Sequence, residues 1–242
     1  MPANFSVGEV LGTSFKTLAR NFVPFATMTV LAYAPILVYT YVLASRDMVR
    51  TRELQHYEAI VFFSRWLINS ALAAMLAYGV VKELQGQRAG IGACLGHGIR
   101  RALPALGVAI VADLAWIGGA FLLIVPGFMM LCMLYVAIPA SVIERPGIRG
   151  ALDRSRELTL GLRWPVFGLM TVMFGIWFVP FFITVGIVGQ HKFAHLSAYL
   201  WAPMAIKMVA STLDAVVAAV AYYALRAAKE GSSVTALASV FE

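Results

Sequence analysis

The sequence predicts an all-α polytopic membrane protein with six transmembrane helices, on three observations. Hydrophobic residues make up 61% of the 242 positions. Charged residues make up only 13%, about half of the ~25% usual in soluble domains. The apolar runs recur evenly from residue 22 to residue 226, and each approaches the roughly 20 residues needed to cross a bilayer. A mean hydropathy of +0.81 makes lipid the solvent for most of this chain.

The chain opens with Ser6-Val7-Gly8-Glu9, which has the spacing of a reciprocal helix cap. An amphipathic helix follows, with Val7, Val10, Leu11, Phe15, Leu18 and Phe22 set against Glu9, Thr13, Lys16 and Arg20. No basic stretch leads directly into an apolar run with a small-residue cleavage site, so this segment is expected to lie on the membrane rather than be cleaved.

The six spans are expected at about residues 22–45, 59–81, 103–125, 126–144, 164–189 and 198–226. Only Val125-Pro126-Gly127 divides the third from the fourth. Proline lacks a backbone donor and glycine accepts positive φ, so a tight hairpin turn is expected there.

Lysine and arginine fix the expected orientation. The side holding the N-terminus carries Lys16, Arg20, Lys82, Arg88, Arg100, Arg101, Arg145, Arg149, Arg154, Arg156, Arg163, Arg226 and Lys229. The other side carries Arg46, Arg50, Arg52 and Lys192. This bias places both termini in the cytoplasm. The net charge of +7 then reflects loops held at an anionic leaflet, not nucleic-acid binding.

One device precedes the first, third and fifth spans: an amphipathic segment, then a proline. The copies are Val7 to Arg20 with Pro24, Ile91 to Arg101 with Pro104, and Ile148 to Arg163 with Pro165. Val7, Leu11 and Ser14 align with Ile91, Leu95 and Gly98, and with Ile148, Leu152 and Ser155. The leucine-to-proline gap is one helical turn shorter in the second copy, which keeps the apolar face in phase. The chain therefore reads as three hairpins, each preceded by an interfacial helix. One integral domain is expected over residues 1–230, with repeat units near 5–83, 90–144 and 147–226. Residues 231–242 would form a short cytoplasmic tail.

Specific sequence motifs are concentrated between residues 124 and 168. Ile124-Val125-Pro126-Gly127, Ala137-Ile138-Pro139, Val142-Ile143-Glu144, Ala151-Leu152-Asp153-Arg154-Ser155 and Leu158-Thr159 are followed by Trp164. Together with the opening Phe5 to Leu11, this pattern resembles the YciC-type bacterial integral membrane proteins. It is also similar to the membrane domain attached to some glycerophosphoryl diester phosphodiesterases. The resemblance implies the fold and a bacterial inner-membrane location. It implies no activity, because the relatives' chemistry belongs to a soluble barrel domain that has no counterpart in this sequence. Pro126, Gly127, Glu144 and Ser155 match the motif as structural positions.

Four ionisable residues fall inside spans: Arg65, Asp113, Lys207 and Asp214. A charge at a helix centre costs roughly 2.5–3.5 kcal/mol on insertion scales, so such groups pair or face a wet cavity. Lys207 and Asp214 lie two turns apart on one face, too far for a direct bond, and Asp113 is the expected partner of Lys207. The functional reading is a site for a proton, ion or headgroup. The structural reading is an ion pair that fixes packing, with Arg65 reaching to an interface. Glu144 is expected to cap or pair with an arginine of the following surface helix.

Other chemistry has little support. His191 and His195 have a metal-compatible spacing but lack a third ligand, and Cys94 and Cys132 make no disulfide framework. No phosphate loop and no nucleophile elbow is present. The expectation is a non-enzymatic protein without metal or cofactor. Its interfacial Lys16, Arg20, Arg100, Arg101, Arg149, Arg154 and Arg156 would bind anionic lipid. A small transporter or channel, homo-oligomeric or not, is the alternative, as is an accessory subunit of a membrane complex.

Overall fold

The computed structural model describes every residue except 1–4, 46–50, 88–89, 123, 145, 189–195 and 239–242. Some side chains inside helices, Arg65's among them, also lie outside the described set. The described chain contains no strand. Its elements are α1 (Val7–Arg20), α2 (Phe22–Ala44), α3 (Thr51–Leu84), α4 (Ile91–Leu122), α5 (Ile124–Leu134), α6 (Ala137–Ile143), α7 (Gly147–Thr159), α8 (Arg163–Val188) and α9 (Leu196–Ala238). Six spans are long and apolar enough to cross a membrane, α5 and α6 together forming the fourth. Lipid offers backbone groups no partner, so long apolar runs satisfy themselves as helices.

The core centres on α9 and α3. Tyr222, Val216 and Leu225 of α9 and Leu72, Leu76 and Val80 of α3 are fully buried, together with Met28 of α2 and Leu169 of α8. One cluster runs from Phe5 to Leu225. Alanines at 77, 215, 219 and 221 sit within it, as expected where association in lipid depends on close van der Waals packing.

Most aligned positions of the three amphipathic segments behave alike. Val10, Cys94 and Ala151 are buried, as are Ser14, Gly98 and Ser155, while Leu11, Leu95 and Leu152 are half-buried. The leading position differs: Val7 and Ile91 are half-buried, but Ile148 is exposed. Protein covers these buried faces: α1 packs on α8 and α9, and α7 packs on α4, α5, α6 and α9.

Three details differ from the sequence expectation. First, the second amphipathic segment is not a separate helix, because α4 runs unbroken through Pro104. Pro24 and Pro165 instead stand in the first turns of α2 and α8, where a missing N–H costs least. The first and third segments end where their helices do, at Asn21 and around Gly161, whose φ is +82°.

Second, Pro126 and Gly127 do not form the hairpin turn. Both lie in the first turn of α5, and Gly127 is absent from the described glycines with positive φ. Small size is required opposite this position, at Gly119. A Cβ on Gly119 of α4 would come within 3.0 Å of the Gly127 Cα, so the two backbones nearly touch. Residue 123, between α4 and α5, lies outside the described residues.

Third, the fourth span is broken at Tyr135 and Val136. The described part of the tail, to Ala238, is helical. Pro139 follows that break and has no N–H for the preceding turn. The Ser155 hydroxyl of α7 donates to the Met133 carbonyl at 2.7 Å. Thr159 approaches the same oxygen at 3.5 Å. A buried side chain from another helix thus serves a carbonyl at the broken ladder.

Gly98 marks the closest packing of α4 on α3. A Cβ there would lie 2.0 Å from the Met75 Cγ and 3.0 Å from its Cα, and the backbone atom cannot rotate away. Gly98→Ala is expected to destabilise the protein by about 1–3 kcal/mol, the range for overpacking. Gly96→Ala, whose added Cβ meets open space, should leave the melting temperature in detergent unchanged or higher.

Candidate functional site

Two polar chambers lie between α3, α8 and α9. The larger, of about 280 Å³, is lined by Tyr33, Glu58, Ser64, Lys207 and other residues of α2, α3, α8 and α9. The smaller, of about 180 Å³, takes in Tyr135 and Pro139 at the α5–α6 break and Asp214 of α9. Asn69, Trp177 and Ser211 line both. Lys207 and Asp214 therefore open into adjoining spaces.

The group between them is Ser211, which shares their face of α9. Its hydroxyl lies 2.8 Å from Tyr33 Oη, and Tyr33 donates to Asn69 Oδ1 at 3.0 Å. The single tyrosine proton is thus committed to Asn69, so Ser211 donates to Tyr33. Thr29 and Thr212 add a buried hydroxyl pair at 2.7 Å on the same two helices. At the far end of the larger chamber, Tyr199 donates to Glu58.

The Tyr135 hydroxyl is buried with no hydrogen-bond partner, and it shares the smaller chamber with Asp214. Leaving such a group unsatisfied costs about 1–3 kcal/mol. Hydroxyls, an amide and a carboxylate set in the chamber's largely apolar wall give water partners there, and the space is roomy enough to hold it.

Asp113 has another role. Trp66 Nε1 donates to its Oδ2 at 2.6 Å, and Asp113 lines neither chamber. Asp113 thus makes an indole–carboxylate bond between α3 and α4 and stands outside the chamber that Lys207 lines. The Arg65 side chain, His191 and His195 lie outside the described residues. Among the described residues, no group of three or more His, Cys, Asp or Glu is placed to hold a metal.

A second polar cluster ties α6, α7 and α9 together. Arg154 Nε lies 2.9 Å from both oxygens of Glu144, so Glu144 pairs with an arginine of the following helix. Tyr222 donates to the same carboxylate at 2.6 Å. Arg154 also reaches Glu230, which takes Arg226 at 2.7 Å. Partial burial pulls the Arg154 pKa down, but its bonds to Glu144 and Glu230 outweigh this and raise it.

Arg154 is consequently held by carboxylates, unlike most of the other expected headgroup ligands. Arg20 pairs with Glu83 at 3.0 Å while staying 64% exposed. Lys16, Arg100, Arg149 and Arg156 are exposed, and Arg101 is half-buried.

No family model, curated protein or solved structure matches this chain.

Tyr33, Asn69, Ser211 and Tyr135 carry no charge, so the charge pattern of the spans does not reveal them. Uncharged polar residues in the middle of apolar helices, Asn69-Ser70 and Ser211-Thr212, were the available signal.

The Glu144 cluster gives a direct test. Glu144→Gln should destabilise the protein by about 2 kcal/mol, the scale of hydrogen bonds to charged groups. Combining it with Arg154→Gln should cost less than the sum of the two single changes. Unfolding in detergent with increasing dodecyl sulfate measures both.

Proposed function

We propose that this is a non-enzymatic integral membrane protein whose basic end engages anionic lipid. One observation carries the reading. The exposed cations Lys16, Arg100, Arg149 and Arg156 accompany exposed Phe15 (48%), Ile99 (66%), Leu103 (74%) and Leu160 (55%) on the same segments. Among the described residues these four cations make no ion pair. Apolar anchors interleaved with free cations are what a headgroup interface selects.

The matched burial of Ser14, Gly98 and Ser155 supports three repeated units, each adding one such segment to a collar. On this reading both termini face the cytoplasm of a bacterial cell, where the anionic leaflet meets the collar. The resemblance to the YciC-type proteins fits that location. A second copy of the chain or a larger membrane complex would find its surface on the outward faces of α4 and α8.

The test is reconstitution into phosphatidylglycerol or phosphatidylcholine bilayers. Wild type should gain stability from phosphatidylglycerol. The variant with Lys16, Arg100, Arg149 and Arg156 all changed to glutamine should lose up to about 4 kcal/mol of that gain, at ~1 kcal/mol per cation. Equal stability of wild type in both lipids would remove the reading.

A second reading is favoured by the adjoining chambers of Lys207 and Asp214. A polar path within the bundle suits passage of a proton or small polar solute. In proteoliposomes, wild type should carry a proton flux that Asp214→Asn reduces at least ten-fold. Equal flux in both, or flux no greater than in empty vesicles, would rule out proton passage through Asp214.

A further inference from the structure

A third cavity lies apart from the polar chambers, between α5 and α8. It measures about 450 Å³, within the 300–1,000 Å³ usual for ligand sites. Phe128, Met129 and Cys132 of α5 form one wall, and Trp164 and Phe167 of α8 form the other. Phe167 meets the Phe128 and Trp164 rings edge-on, at 5.9 and 6.2 Å between centroids. The walls are almost wholly apolar, and Arg163 is the one charged residue among them.

Arg163 is the anomaly. Its Nε is buried with no hydrogen-bond partner, and among the described residues no carboxylate pairs with it. An unmatched guanidinium N–H at the head of an apolar groove is costly unless an acceptor arrives from outside the chain. Position limits what that acceptor is. Arg163 opens α8 directly after the turn at Gly161, where the chain enters its fifth span. Trp164 beside it is 83% exposed, and tryptophan marks the headgroup level of a bilayer.

We propose that this groove holds one anionic phospholipid from the leaflet at the basic end. Its phosphodiester accepts from Arg163 as a charge-assisted hydrogen bond. One acyl chain lies along Phe128, Met129 and Phe167. The site deepens the lipid reading by naming a single bound molecule, but it differs in stoichiometry and residues from the collar, which offers a diffuse surface.

The experiment is native mass spectrometry of the delipidated, detergent-solubilised protein, titrated with phosphatidylglycerol and separately with phosphatidylcholine. Wild type should bind one phosphatidylglycerol per chain before any weaker adducts, and at least ten-fold more tightly than phosphatidylcholine. Arg163→Gln should weaken that first site at least ten-fold, whereas Arg163→Lys should retain most of it. Met129→Trp, which fills the groove but leaves the arginine, should also lose it. Melting temperatures near wild type would show that these variants are folded.

The variant lacking the four collar cations should keep the single tight lipid, so failure of the collar reading and failure of this site are separable. Unchanged phosphatidylglycerol binding by Arg163→Gln overturns the proposal, as does equal affinity of wild type for phosphatidylcholine. Binding of both lipids by Met129→Trp at wild-type strength overturns the acyl-chain placement.

Discussion

The fold depends on how a broken helix satisfies its backbone where no water is at hand. The fourth span stops at Leu134 and resumes at Ala137, and the Ser155 hydroxyl reaches across to the Met133 carbonyl. In hydrocarbon an unsatisfied carbonyl costs several kcal/mol. The break is therefore tolerable only while α7 stays docked. That docking is secured from the other side by Glu144, which receives Arg154 from α7 and Tyr222 from α9. A backbone irregularity in one span and an ion cluster near its end are thus parts of one constraint.

The break also builds the smaller chamber. Tyr135 sits in it, and its hydroxyl faces a space shared with Asp214. A regular helix through residues 124–143 would aim that side chain elsewhere. The polar seam along Tyr33, Asn69 and Ser211 and the docking of α7 are accordingly linked through a three-residue stretch, although α7 contributes no side chain to either chamber.

Much of this architecture is legible in the sequence because bilayer thickness and helix period leave few alternatives. Apolar length marks the spans, but the buried face of α1 was legible only in part: Val10 is buried as its apolar phase implies, whereas Phe15 and Phe22 are exposed and the polar Thr17 is buried. What could not be read depended on distances between elements. Pro126-Gly127 has turn chemistry, but both residues are helical in α5, and the glycine that close packing requires is Gly119, whose Cβ would meet the Gly127 backbone. Asp113 suggested a lysine by charge alone, and the structure gives it Trp66, a donor that charge counting ignores. Arg163 counted only as one more basic residue, because nothing in its neighbours in sequence reveals that its Nε is enclosed.

The unbroken course of α4 through Pro104 gives the bundle an asymmetry. With 32 residues at 1.5 Å each, α4 is roughly 48 Å long and exceeds the ~30 Å hydrocarbon core. It is a single strut joining the basic end to the Gly119–Gly127 contact. α4 thus spans the molecule from the basic end as one continuous helix and ends against the neighbour whose continuation is broken, whereas α1 and α7 are separate helices joined to their spans through Asn21 and Gly161.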